Sequence, residues 1–245
     1  MKAVDPQALL TFINENIDTF HNARLRRLSQ IQLRQIIKKK NPYLFKAKNL
    51  VTANALVGSM LDAFLSSSEE ELFGQFLESV AIFISETTCA GRKSSAEGID
   101  LEFDDETTRY LVAIKSGVNW GNSSQQKKLR ENFQRAVIVQ KQGRPKLQIQ
   151  PVLGCCYGNA KDSDNALYMR KVGKSFWHFI SGEENLYLEL IEPIGYQATL
   201  HNEKFIQGRV ALQTRLVEEF SKDFCFPDGN INWQYLVQFN SQNLK

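Results

Sequence analysis

The sequence predicts a mixed α/β (α+β) architecture: a central mixed β-sheet flanked by helices, with an N-terminal helical region. Three observations predict it. Apolar residues in 1–90 recur at helical spacing rather than in alternation. A hairpin signal follows, with strands over 98–103 and 109–116 and turn residues Asp104-Asp105-Glu106-Thr107 between them. An amphipathic helix from Ser123 to about Gln140 then separates the hairpin from a strand at Leu147–Cys156. Strand, helix, strand is crossover order, so a parallel pair lies beside the antiparallel one. The chain accordingly divides into an N-terminal helical region, 1–92, and a sheet-bearing region with C-terminal helices, 93–245.

Composition narrows the class. The 245 residues are 42% apolar and 23% charged with a formal charge of +3, as in an ordinary soluble globular protein with a real core. No apolar run is long enough to span a membrane. The start, Met1-Lys2-Ala3-Val4-Asp5-Pro6, lacks the apolar core of a signal peptide. Cys89, Cys155, Cys156 and Cys225 have no metal-ligand spacing and read as reduced residues of a cytoplasmic protein. No glycine-rich phosphate loop or nucleophile elbow is present.

In the helical region, Asp5-Pro6 is an N-cap and first-turn pair for a helix with Leu9, Leu10, Phe12, Ile13, Ile17 and Phe20 on its apolar face. A second helix runs from Leu25 to Lys40, and Asn41-Pro42 stops it. Between Asp18 and Asp62 no acidic residue occurs, while Arg24, Arg26, Arg27, Arg34, Lys38, Lys39, Lys40, Lys46 and Lys48 all fall there. A block of one sign beside Tyr43 and Phe45 suits a phosphate backbone better than a merely solvated face. A third helix follows Thr52. A fourth is expected to start at Ser66–Glu71, where Ser67/Glu70 and Ser68/Glu71 have capping-box spacing. From Phe76 to Ile84 that helix is apolar nearly all round except for Glu78 and Ser79, so it is buried. A carboxylate there needs a cation, a proton or a hydrogen-bond partner. Glu78 is therefore either a metal ligand facing the hairpin or an acid reaching out at the helix edge. Gly91 to Gly98 is a flexible link with no expected regular structure.

Strand alternation puts Asp100 and Glu102 on one face of the first hairpin strand, and Ala113 and Lys115 on one face of the second. Pairing the strands brings a carboxylate and a lysine together at the sheet surface. After Trp120-Gly121-Asn122, Ser123 with Gln126 is expected to cap the next helix, which carries Lys127, Lys128, Arg130 and Arg135 on a basic side. Its N-terminus suits a phosphate. Gly143-Arg144-Pro145 ends that unit. Further on, Ala166–Val172 reads as a strand, Phe176–Ile180 and Leu186–Ile191 as short helices ended by Gly182 and Pro193, Phe205–Phe220 as a longer helix and Trp233–Phe239 as a last one.

Three separated motifs in order carry a resemblance: Asn41-Pro42-Tyr43-Leu44-Phe45-Lys46-Ala47-Lys48-Asn49, the run Lys115-Ser116-Gly117-Val118-Asn119-Trp120-Gly121-Asn122-Ser123-Ser124-Gln125, and Phe176-Trp177-His178-Phe179-Ile180-Ser181-Gly182. With Asp100 and Lys115, the chain from about Leu28 onward resembles type II restriction endonucleases of the PD-(D/E)XK superfamily, in particular the PmeII-like group. The resemblance implies a restriction-endonuclease-like core that hydrolyses phosphodiester bonds of double-stranded DNA at a specific, palindromic site. It implies Mg2+, replaceable by Mn2+, held by Asp100 and the main-chain carbonyl of Ile114, with Lys115 acting on the attacking water. It implies a homodimer, and a companion DNA methyltransferase acting on the same site. DNA contacts are expected from Lys38, Lys39, Lys40, Lys46 and Lys48, and from Ser116, Asn119, Asn122, Ser123 and Lys127. Ala113 stands where the pattern has its second acid. Glu78 is the first choice to replace it, then Glu131, then Glu102. Two other readings stay open: a structure-selective repair or recombination nuclease, and a catalytically inactive DNA-binding relative, which Ala113 favours.

Overall fold

The computed structural model describes residues 1–143, 147–196 and 198–242. Arg144 and Pro145, read above as the end of a unit, lie outside them. The architecture is the expected one: a mixed six-stranded sheet with helices on it and a helical N-terminal region. The strands are β1 (Arg92–Lys93), β2 (Leu101–Asp105), β3 (Thr108–Gly117), β4 (Gln148–Tyr157), β5 (Ser163–Asp164) and β6 (Met169–Val172), in the order β1-β2-β3-β4-β6-β5. Leu101 pairs with Val112 and Glu102 with Leu111 across the antiparallel hairpin. Helix α5 (Ser123–Gly143) returns the chain to β4, which runs parallel to β3 with Ala113 opposite Leu153 and Lys115 opposite Cys155. The crossover predicted from sequence is thus present.

Ten helices complete the described chain. They are α1 (Pro6–Ser29), α2 (Leu33–Lys39), α3 (Pro42–Ala47), α4 (Ala53–Cys89), α5, α6 (Lys174–Ser181), α7 (Leu186–Glu189), α8 (Ile191–Gly195), α9 (Ala198–Phe224) and α10 (Trp233–Ser241). Several boundaries differ from the sequence reading, each for a local reason. Asp5 caps α1 as expected, its Oδ1 accepting from the amides of Gln7 and Ala8, but the helix runs on to Ser29. Asn41-Pro42 ends α2 and also starts α3, because Asn41 Oδ1 accepts from Tyr43 and Leu44. The third and fourth helices are one. Helix α4 has 37 residues, a length of about 55 Å, and the two capping-box signals fall inside it. Ser67 Oγ donates back to the Ala63 carbonyl, and the Ser68 hydroxyl accepts from Arg27 Nε. The hairpin loop is shorter than expected, since Asp104 and Asp105 belong to β2 and only Glu106-Thr107 turn. Part of the Gly91–Gly98 link is ordered as β1, and Pro193, read as the end of the Leu186–Ile191 helix, lies within α8.

Packing divides the chain into two compact units, 1–18 with 73–196 and 19–72 with 197–245. The first holds the sheet. Leu111, Ala113, Leu153 and Cys155 on one sheet face pack with Leu129, Phe133 and Ala136 of α5. On the other face Gly154 leaves room for the Phe176 ring of α6, which a side chain at 154 would overlap. The second unit is helical, and its core gathers Leu33, Ile36 and Ile37 of α2, Leu56, Met60 and Leu61 of α4, Leu216 and Phe220 of α9 and Leu236 of α10.

Candidate active site

Asp100 stands one residue before β2, where the hairpin ladder gives way. Its Oδ2 accepts from the Ile114 amide at 2.6 Å. The N–H and C=O of a strand residue leave the backbone on the same side, so the Ile114 carbonyl is directed toward Asp100 too. The next residue, Lys115, is half-buried, its Nζ 5.7 Å from the centre of the Trp120 ring. The hairpin thus places Asp100 and Lys115 at one end of the sheet.

Glu78 joins them from α4. Burial is the first cause that raises its carboxyl above the ordinary range, and the negative charge of Asp100 is the second; Lys93 and Lys115 pull the other way. Two carboxylates and two ammonium groups therefore share one field. Ala113 is fully buried among the side chains that meet α5, so its position is filled by packing. The other two candidate acids are engaged elsewhere. Glu131 is exposed on α5, with Lys127 at 3.8 Å. Glu102 is buried and accepts from Arg92 Nη2 at 2.8 Å and Ser94 Oγ at 2.7 Å.

Among the described residues no group of three or more His, Cys, Asp or Glu side chains is placed to hold a metal ion. The donors at hand are the carboxylates of Glu78 and Asp100 and the Ile114 carbonyl, all hard oxygens. That set fits magnesium, which keeps several waters and takes one or two carboxylates, better than a softer ion. Burial pushes the neighbouring Cys155 thiol up to about 11, and Cys89, Cys155, Cys156 and Cys225 are all unpaired.

The run after Lys115 carries the expected polar residues, with one correction. The residue that caps α5 is Asn122, not Ser123: Asn122 Oδ1 accepts from the amides of Ser124 and Gln125, and Gln125 Oε1 accepts from the Asn122 amide. This is a reciprocal capping box one residue earlier than the sequence reading placed it. Ser116 is half-buried beside Gly74 of α4, whereas Asn119, Ser123 and Lys127 are exposed.

In the helical unit the basic block is partly neutralised by acids distant in sequence. Arg24 pairs with Glu69 at 2.7 Å, Arg27 with Glu71 at 3.0 Å and Arg34 with Asp223 at 3.1 Å. Lys40 Nζ donates to the Ala63 carbonyl. Lys38, Lys39, Lys46 and Lys48 stay exposed without an ion pair among the described residues. Lys46 lies over the Trp233 ring, 4.9 Å from its centre. The two line a recess of about 580 Å3 with Pro42, Tyr43 and Val237. The lysine half of the block is the half left open to a polyanion.

Among the described residues no helix is long and apolar enough to cross a membrane. A search of curated proteins returned no match to the chain. A family model does match: that of the type II restriction endonuclease EcoO109I, over residues 7–202. The span takes in Glu78, Asp100, Ala113 and Lys115, the open lysines and the whole sheet. Since it covers most of the 245 residues, the chain belongs to the EcoO109I family of type II restriction endonucleases, hydrolases that bind and cleave DNA.

Proposed function

We propose that this endonuclease cuts double-stranded DNA at a specific, palindromic site with magnesium, through Asp100, Glu78 and Lys115. The observation that carries the reading is the convergence of Glu78 from α4, Asp100 from just before β2 and Lys115 from β3 on one field in a chain of this family. Asp100 and Glu78, with the Ile114 carbonyl, would hold the ion, and Mn2+ has the same hard-oxygen fit. When bound, such an ion supplies charge stabilisation of the phosphorane-like transition state and acidifies water. Lys115 lies beside the carboxylates, where it orients the attacking water or takes its proton. Trp120 covers the lysine on one side and limits where its ammonium can go.

Lys38, Lys39, Lys46 and Lys48 contact phosphates of the duplex, which positions the protein without reading sequence. Lys40 contributes less, because its ammonium is already spent on Ala63. A homodimer fits a palindrome, since two-fold protein symmetry mirrors two-fold DNA symmetry, and a companion methyltransferase on the same site would protect the host DNA. The narrower likeness to the PmeII-like group rests on the three sequence motifs alone.

The test is digestion of unmethylated plasmid with magnesium by the wild type and Lys115→Ala. Discrete bands from the wild type, and none from a variant that still binds DNA, are the expected result. A smear would favour the structure-selective nuclease, intact plasmid the inactive relative. Wild-type cutting by Lys115→Ala would remove the lysine from the mechanism.

A further inference from the structure

The link between α4 and β2 holds a lysine that the mechanism above does not use. β1 pairs Lys93 with Leu101 and Arg92 with Glu102. Neighbouring strand residues point to opposite faces. Arg92 goes to the face of Glu102 and forms an ion pair with it at 2.8 Å. Lys93 goes to the other face with Leu101, where Leu101 lies against the residues that follow α4. The same short strand is tied to the active site, because the Ser94 amide donates to the Asp100 carbonyl at 3.1 Å. The Lys93 side chain is exposed and makes no hydrogen bond or ion pair among the described residues. The edge strand therefore holds an ammonium without an ion pair on the Leu101 face of the sheet, toward the helix that carries Glu78, while Ser94 next to it is bound to the Asp100 main chain.

We propose that Lys93 is a second phosphate-binding position of the active site, taking a backbone phosphate of the DNA at the point of cleavage. The proposal rests on the functional reading given above. Charge arithmetic supports it. Glu78 and Asp100 bring −2 when ionised and Lys115 brings +1; a divalent ion makes the total +1, against a phosphorane-like transition state that carries about −2. Lys93 raises the total to +2 and balances the group. The positive field Lys93 exerts on Glu78 agrees with this placement. A lysine also suits the position chemically, because a compact point charge on a flexible stem can follow a phosphate as its geometry changes.

The test uses the full chain and a duplex oligonucleotide carrying a cut site mapped on plasmid with the wild type. Lys93→Ala should lower the single-turnover cleavage rate by about 10-fold or more. In EDTA it should flatten the slope of log affinity against log salt by about 0.9, the loss of one phosphate contact. Replacing single phosphates near the cut by neutral methylphosphonates should reveal one position at which the wild type slows and Lys93→Ala does not slow further. Lys93→Arg should keep the salt slope. If Lys93→Ala changes the magnesium requirement while salt slope and methylphosphonate response stay as in the wild type, Lys93 acts only on Glu78 and the proposal is overturned. Wild-type behaviour in all three measurements overturns it as well. Failure of the functional reading looks different, because the wild type then makes no specific cut.

Discussion

Two groups of charged side chains flank the β2–β3 hairpin. In the first, Arg109 is buried and bound through two nitrogens to Asp104 at 2.6 and 2.7 Å, with Gln140 at 3.0 Å and Glu102 at 3.9 Å. Glu102 in turn holds Arg92 and Ser94. In the second, Glu78, Asp100, Lys115 and Lys93 make no ion pair with one another among the described residues, and Glu78 is held above its ordinary range by burial and by Asp100. Both groups would look alike to a composition count. Their difference is in matching: the first satisfies its donors and acceptors from within, whereas the second leaves groups that a ligand must complete. An unmatched, partly buried cluster is where a fold spends stability on function.

The largest effects should separate the two groups cleanly. Asp100→Asn keeps an oxygen for the Ile114 amide and removes only charge, so the fold should stand. Cleavage should fall by several kcal/mol of transition-state stabilisation, on the order of 10^3-fold. Arg109→Met should do the reverse. It strips the buried Glu102 of one cation and Asp104 of its paired guanidinium, costing about 3 kcal/mol, or about 10 °C in Tm for a chain of this size. Thermal melts beside single-turnover rates check both. Equal losses of Tm in the two variants would dissolve the distinction.

Glu78→Gln should give a smaller and more telling effect. A carboxyl whose folded value lies above its ordinary 4.5 binds more protons folded than unfolded in the interval between the two values. Stability then falls as pH rises through that interval. Glutamine removes the titration, so in EDTA the variant should gain stability relative to the wild type between pH 4.5 and neutrality. Magnesium should stabilise the wild type and leave the variant nearly unmoved, with cleavage needing far more of the ion. If the variant is less stable than the wild type at neutral pH without metal, Glu78 has a structural partner and belongs with the matched group.

Legibility in the sequence followed the range of the interactions. The hairpin, the crossover helix and the third strand were readable because alternation, helical spacing and turn residues are local. Asp100 and Lys115 followed from them. Glu78 could be singled out from the sequence only as a preference among three acids, because its burial in an apolar helix is local while its nearness to Asp100 is not. The capping boxes at Ser67 and Ser68 misled, since a spacing that starts helices also occurs inside one, and here tertiary pairs claim it: Arg24 takes Glu69 and Arg27 takes Glu71. Those same pairs relieve a basic block that had looked unrelieved. Lys93 was invisible, since a strand of two residues carries no periodicity and only its register with Leu101 says where it points.

The smallest effect concerns Asn122, which was expected to meet DNA and is found capping α5. Both roles fit one side chain, because Oδ1 faces the helix amides while Nδ2 makes no hydrogen bond among the described residues. Asn122→Ala removes the cap and should cost about 1 kcal/mol, roughly 3 °C in Tm. Ser123→Ala should cost almost nothing, since Ser123 is exposed and caps no amide among the described residues. Asn122→Asp separates the roles. Aspartate caps as well as asparagine and suits the helix dipole, so stability should hold or rise slightly. A negative charge facing the phosphates should nevertheless weaken DNA binding, and more strongly at low salt than at high. That outcome puts the α5 N-terminus against the duplex and adds Asn122 to the unmatched group. Unchanged affinity in Asn122→Asp, with the Tm loss in Asn122→Ala intact, would make Asn122 a cap and nothing more, and the contacts beyond Lys115 would fall to Asn119 and Lys127.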